Sequence, residues 1–133
     1  MIDNDFNILN NYILNGDEDG FIDKFTSLKK NEKNNKNYDT EIEHLKDKNG
    51  NTLLMLSILY DRNKITKILL AFSKSNINSV NNDGSSVIAL ACFVGNGSLV
   101  KDLISMDNFI KDSIFRKNLK GNTPIDYLLE YIF

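Results

Sequence analysis

Catalysis or metal binding in this chain would have to rest on very few side chains. There is one histidine, His44, and one cysteine, Cys92. Nucleophilic catalysis needs a nucleophile, a base beside it and a group that orients the base; transition-metal sites need several Cys or His ligands. A single residue of each type meets neither demand. Asp17-Glu18-Asp19-Gly20 has the opening of a calcium loop, but no Glu closes it at the EF-hand spacing, so the run reads as an acidic helix start. Asn96-Gly97-Ser98 lacks the Gly-Lys-Ser/Thr of a phosphate loop and reads as an inter-helix turn. The expectation is a chain with no enzymatic activity, no cofactor and no metal.

What does recur is a set of turn formers. Gly50, Gly84 and Gly121 lie 34 and then 37 residues apart, and the segments 47–70, 81–104 and 118–133 align on them. Two residues past each glycine stands a hydroxyl: Thr52, Ser86, Thr123. Four past it stands an apolar residue: Leu54, Ile88, Ile125. At seven and eight, Ser57-Ile58 and Ala91-Cys92 are small or apolar, which makes Cys92 a core filler. A second apolar face then opens, Ile65, Ile68, Leu69 and Leu70 in one copy against Leu99, Val100, Leu103 and Ile104 in the next. A fixed period of this length marks a repeat architecture. Each unit reads as turn, short helix, turn, second helix.

The residue chemistry agrees with that reading. Asn49-Gly50 and Asp83-Gly84 are tight-turn dipeptides. The three hydroxyl residues are N-caps, and Pro124 takes the first helical position, where a missing N–H does no harm. Gly95 closes the first helix of its unit. Upstream, Phe6, Leu9 and Ile13 share one helical face, Asn15-Gly16 ends it, and Phe21, Phe25 and Leu28 form another. Residues 1–30 therefore read as degenerate N-terminal capping helices. Residues 29–39 are polar and Asn-rich and read as a loop, with the Asn-rich loop region taken as 31–44; a basic anion-binding loop is the alternative. His44, just beyond, reads as structural or solvated. At the other end Leu128, Leu129, Ile132 and Phe133 either cover the preceding unit as a crude cap or leave a surface for a dimer or a partner.

The pattern resembles the ankyrin repeat, with 122–129 (Asn-Thr-Pro-Ile-Asp-Tyr-Leu-Leu) the nearest stretch. The resemblance implies an all-α fold: a solenoid of stacked helix-turn-helix units, about three to four repeats including degenerate capping units. As one domain over 1–133, it would comprise repeats at 45–80 and 81–117 and a truncated one at 118–133. There are departures. Met55, Ala89 and Asp126 hold the motif's histidine position, Leu53 and Val87 its proline position, and Asp61 replaces the mid-unit glycine. Units of this kind should be less regular and less stable than consensus repeats.

Ankyrin stacks bind through a concave face of turn tips and first helices, so the resemblance also implies a site. Its positions are Lys48, Asn49, Asn51, Leu59 and Tyr60 in the first unit and Asn82, Asp83, Ser85, Phe93 and Val94 in the second. The third gives Leu119, Lys120, Asn122, Glu130 and Tyr131. Nine and ten residues past the glycines these are Leu-Tyr, Phe-Val and Glu-Tyr. Such a row forms an interaction stripe, unless irregular turns fold over Phe93 and Leu59 and bury them.

Composition sets the outer bounds. The chain has 133 residues, 41% hydrophobic and 26% charged, with a net charge of −2. Its mass is 15.2 kDa, its mean hydropathy −0.31 and its pI about 5.3. That balance disfavours general nucleic-acid binding, and no apolar stretch reaches the ~20 residues of a membrane span. One cysteine makes no internal disulfide, and the N-terminus lacks a signal peptide's basic start, so a cytoplasmic protein is expected. Asn is the commonest residue, 20 in all, which with Lys and Ile suggests an AT-rich genome. The expected function is protein–protein interaction through the concave face, as an adaptor, inhibitor, immunity protein or host-interaction factor. The alternative is a structural protein that dimerises through its apolar C-terminal helix. A monomer or weak homodimer suits either.

Overall fold

The computed structural model describes residues 2–32, 42–72 and 74–132, with side chains described over 4–31, 42–72 and 76–130. Its α-helices are α1 (Ile2–Asn15), α2 (Glu18–Glu32), α3 (Leu53–Leu59), α4 (Asn63–Phe72), α5 (Val87–Phe93), α6 (Gly97–Ile104) and α7 (Pro124–Ile132), with 3-10 turns at Lys74–Asn78 and Lys111–Phe115. Among the described residues the only extended pairing is a single antiparallel bridge, Val80 to Ser86. The fold is an all-α repeat solenoid.

Local signals start and stop these helices. The Thr52 hydroxyl accepts from Met55 N at 3.3 Å and that of Ser86 from Ala89 N at 3.2 Å. In α7 the cap is reciprocal: Thr123 Oγ1 accepts from Asp126 N, and Thr123 N donates to Asp126 Oδ2 at 2.8 Å. Asp126, a departure from the family motif, thus finds its own use. The first helix of each complete pair ends in one geometry. Gly16, Asp61 and Gly95 have φ of 75°, 58° and 74°. Each donates three residues back, to Ile13, Ile58 and Cys92, and the next residue donates five back, to Tyr12, Ser57 and Ala91. These are the two hydrogen bonds of the Schellman motif. Asp61 is the only non-glycine with positive φ among the described residues, and it performs the glycine's task at a conformational cost.

Helices α1, α3, α5 and α7 pack successively in one row, with α2 behind α1, α4 behind α3 and α6 behind α5. Apolar residues fill the space between the rows, among them Leu9 and Phe21 and, at matching offsets from the turn glycines, Leu54 with Ile88 and Leu69 with Leu103. Removing each such side chain from water contributes roughly 1.5–3 kcal/mol. The N-terminal pair is tied on by polar contacts too. Arg62 Nε donates to Ile13 O at 2.8 Å, satisfying the end of α1, and Glu18 accepts from Lys64 N at the start of α4.

The loop expected from residue 29 begins later. Lys29 to Glu32 continue α2, because Lys29 is not a solvated loop residue: it forms an ion pair with Glu43, both side chains being at most 9% exposed. Lysines in a last turn also complement the helix dipole. Ile42 and Glu43 are buried in a helical turn over 42–44, so this stretch packs on the core as well. His44 is exposed. Residues 33–41, with the rest of the Asn-rich stretch and its anion-binding alternative, lie outside the described residues.

Cys92 is buried among core residues, and burial pushes its thiol up from 9.0 to about 11. At pH 8 its thiolate fraction should be about 100-fold lower than that of an ordinary thiol. Native protein should therefore resist iodoacetamide over hours, while protein in urea alkylates fully; rapid labelling of native protein would contradict this burial. The sign for stability follows. The thiol ionises first in the unfolded chain, so its contribution is intact below pH 9 and declines as pH rises towards about 11.

Candidate partner-binding cleft

Before α3, α5 and α7 the chain makes a narrow finger, and one residue organises each finger. Asp47, Asn81 and Asn118 each stand three residues before the turn glycine. The Oδ1 of each accepts two backbone N–H groups, from Asn49 and Asn51, Asp83 and Ser85, and Lys120 and Asn122, at 2.9–3.0 Å. Gly50, Gly84 and Gly121, with φ of 79°, 73° and 82°, complete the turns. At Gly50 a Cβ would lie 2.7 Å from the Asn82 backbone nitrogen, so the next finger's approach also requires glycine.

The fingers are laced side by side. Asn82 N donates to Asn49 O at 3.0 Å and Leu119 N to Asp83 O at 2.8 Å. Side-chain amides repeat the connection, Asn82 Nδ2 to Lys48 O and Asn81 Nδ2 to Asn51 Oδ1. The fingers and the first helices then enclose an open cleft of about 360 Å³. Its floor is apolar, with Leu59, Ala89 and Leu90, and its rim carries Asn49, Asn82, Asp83 and Lys120. At one end Phe93, 52% exposed, meets Tyr127 edge to face with ring centroids 5.3 Å apart.

A family comparison accounts for this geometry. Three copies of the ankyrin repeat match residues 4–118. The chain belongs to the ankyrin-repeat family. Ankyrin repeats are in general protein–protein interaction modules and typically non-enzymatic.

The ankyrin stack distributes the expected site residues unevenly. Asn49, Leu59, Asn82, Asp83, Phe93 and Lys120 line the cleft with side chains exposed or half-buried. Asn51 and Ser85 line it too but are buried; Asn51 is bonded to Asn81, and the Ser85 hydroxyl lies 3.5 Å from the Asn118 amide. Those two support the fingers rather than face solvent. Tyr60 and Val94 are the C-caps of α3 and α5 and lie outside the cleft lining, as does Asn122. Lys48 lines a neighbouring groove against α1, with Phe6 and Asn10. Leu119 and Glu130 are exposed away from the cleft, and the Tyr131 side chain lies outside the described residues. Phe93 is not folded under a turn, whereas Leu59 is half-buried.

Two contributors were not singled out from the sequence. Tyr127 supplies the second ring and holds Asn118 Nδ2 through its hydroxyl at 2.8 Å. The Asp/Asn organisers are the other omission; their signal was an acidic or amide residue at one fixed offset from every glycine. Chemically, the cleft offers amides, one carboxylate, one ammonium and an aromatic wall. No group of three His, Cys, Asp or Glu that could hold a metal occurs among the described residues, and no helix there is long and apolar enough to cross a membrane.

Proposed function

We propose that the chain is a non-catalytic binding module that holds a partner protein in the cleft between its fingers and first helices. The observation that carries this reading is the Phe93–Tyr127 pair, an aromatic wall left half open to water beside a polar rim. Exposed aromatic surface next to hydrogen-bonding groups is the composition of a protein-interaction hot spot. Asp83 and Lys120, on successive fingers, add charges of opposite sign that fix a partner's orientation. Such a module acts by occupancy. Adaptor, inhibitor, immunity-protein and host-directed roles are variants of that one mechanism, separated by whether the partner's own activity falls when it is bound. The free, buried thiol of Cys92 suits a reducing compartment, consistent with a cytoplasmic setting.

The test compares Phe93→Glu with Lys67→Glu, a change on the exposed face of α4. Partners captured from the source lysate are identified by mass spectrometry and their affinities measured by calorimetry. Phe93→Glu should weaken binding at least tenfold while Lys67→Glu leaves it unchanged. A partner held equally by both variants places the binding elsewhere and overturns the assignment.

A further inference from the structure

The cleft holds an unused hydrogen-bond donor, and Asn118 determines which one. Oδ1 of Asn118 accepts from two backbone N–H groups, so the other end of that side chain is the donating amide. The amide donates to the Tyr127 hydroxyl at 2.8 Å and lies 3.5 Å from the Ser85 hydroxyl. The Tyr127 oxygen is therefore the acceptor in this contact, and its own proton points elsewhere. That proton meets no other protein group among the described residues. Asn118 and Tyr127 both line the cleft, so the O–H is available to an occupant. The same finger carries Lys120, exposed and also lining the cleft. Its ammonium enters no ion pair among the described residues, and it is the only cation lining the cleft.

We propose that this corner selects a carboxylate: the partner sets an Asp or Glu side chain against the Lys120 ammonium and the Tyr127 O–H. The inference rests on the cleft being the partner's site and names the chemistry that the site takes. Charge and donor count choose the occupant. An arginine or lysine would pair with Asp83, but it would face Lys120 and leave the tyrosine proton without an acceptor. A phosphoryl group brings roughly two negative charges to a single ammonium. It would also meet the Asp83 carboxylate, whose finger is bonded to this one through Leu119 N and Asp83 O. A carboxylate brings one charge and has lone pairs for both donors. Asp83 then orients it, repelling the acid from the second finger and towards the third.

Selection from a random displayed-peptide library tests it, followed by calorimetry on the enriched peptides. Wild type should enrich peptides with an acidic residue at one position, and these should fail to bind Phe93→Glu. Replacing that acidic residue by its amide should weaken binding to wild type about tenfold. Lys120→Gln should cost as much with the acidic peptide and nothing further with the amide peptide, while Lys120→Arg keeps most of the affinity. Tyr127→Phe retains the ring and should show a smaller loss of the same kind. Lys120 is exposed, so its variants should keep the wild-type circular dichroism and remain decisive if Tyr127→Phe misfolds. Peptides that need Phe93 but share no acidic position overturn this inference and leave the cleft as the site. So do peptides whose amide versions lose as much on Lys120→Gln as on wild type. No enriched peptide, or peptides that bind Phe93→Glu as well as wild type, overturns both readings.

Discussion

Asn118→Ala is expected to cost about 2–4 kcal/mol and to open the last finger locally. The Asn118 side chain makes two acceptor bonds, to Lys120 N and Asn122 N, and donates to the Tyr127 hydroxyl, while being 8% exposed itself. Each bond lost contributes roughly 0.5–1.5 kcal/mol, more where a buried group is left without a partner. Asn118→Asp should cost less. Asp47 already fills the same place in the first finger and accepts the same two backbone bonds, and a carboxylate can accept from the tyrosine hydroxyl. Urea denaturation gives the ranking, and hydrogen exchange at Lys120 and Asn122 reports the finger itself. An Ala variant within 0.5 kcal/mol of wild type, with those amides still protected, would show that the turn is set by Gly121 alone. Because Tyr127 forms one wall of the cleft, the same variant should also loosen that wall.

The parts of this fold legible in the sequence are those fixed by short-range chemistry. Ser and Thr are preferred N-caps, and in each finger a hydroxyl two residues past the glycine caps the helix that follows, so Thr52, Ser86 and Thr123 announce α3, α5 and α7. Asp61 could be placed at the mid-unit glycine position, and its positive φ shows that backbone geometry there is imposed by the Schellman turn rather than by the residue. The cleft was only partly legible. Offsets from a glycine locate Phe93 and Asp83, but they also selected Tyr60 and Val94, whose directions depend on how each helix terminates. Lys29 was read as loop because its partner Glu43 lies fourteen residues away, and no local pattern reports such a contact.

Asparagine shows the limit of composition as evidence. Its abundance reads as codon bias, yet individual copies have structural tasks. Asn81 and Asn118 organise fingers, Asn51 joins two of them, and Asn96 caps α6 while reaching Asn63 on α4. An amide both donates and accepts, so one side chain can close its own turn and bond to its neighbour. The polar bonds then supplement the apolar core.

Glu43→Ala should be among the most damaging single changes, at about 3–5 kcal/mol. Glu43 and Lys29 form an ion pair away from solvent, with the ammonium 4.9 Å from the centre of the Phe25 ring and 5.8 Å from that of Phe72. Removing the carboxylate takes away the Glu43 side of a buried ion pair set among aromatic rings, and breaking a buried pair by removing one partner costs about that much. The pair also occupies a junction. Lys29 belongs to α2, Phe72 ends α4, and the Glu43 carbonyl accepts from the Asn76 amide beyond it. Loss should therefore detach the N-terminal helices as well as lower stability, giving a smaller urea m-value or two resolved transitions, as in a repeat array whose units uncouple. Lys29→Met combined with Glu43→Leu separates charge from packing. If the cost of Glu43→Ala comes from the broken ion pair, the double variant regains most of the stability, because apolar groups of similar volume can replace a buried pair. A double variant as unstable as Glu43→Ala would mean that hydrogen bonds at this junction, rather than burial, hold the N-terminal cap to the stack.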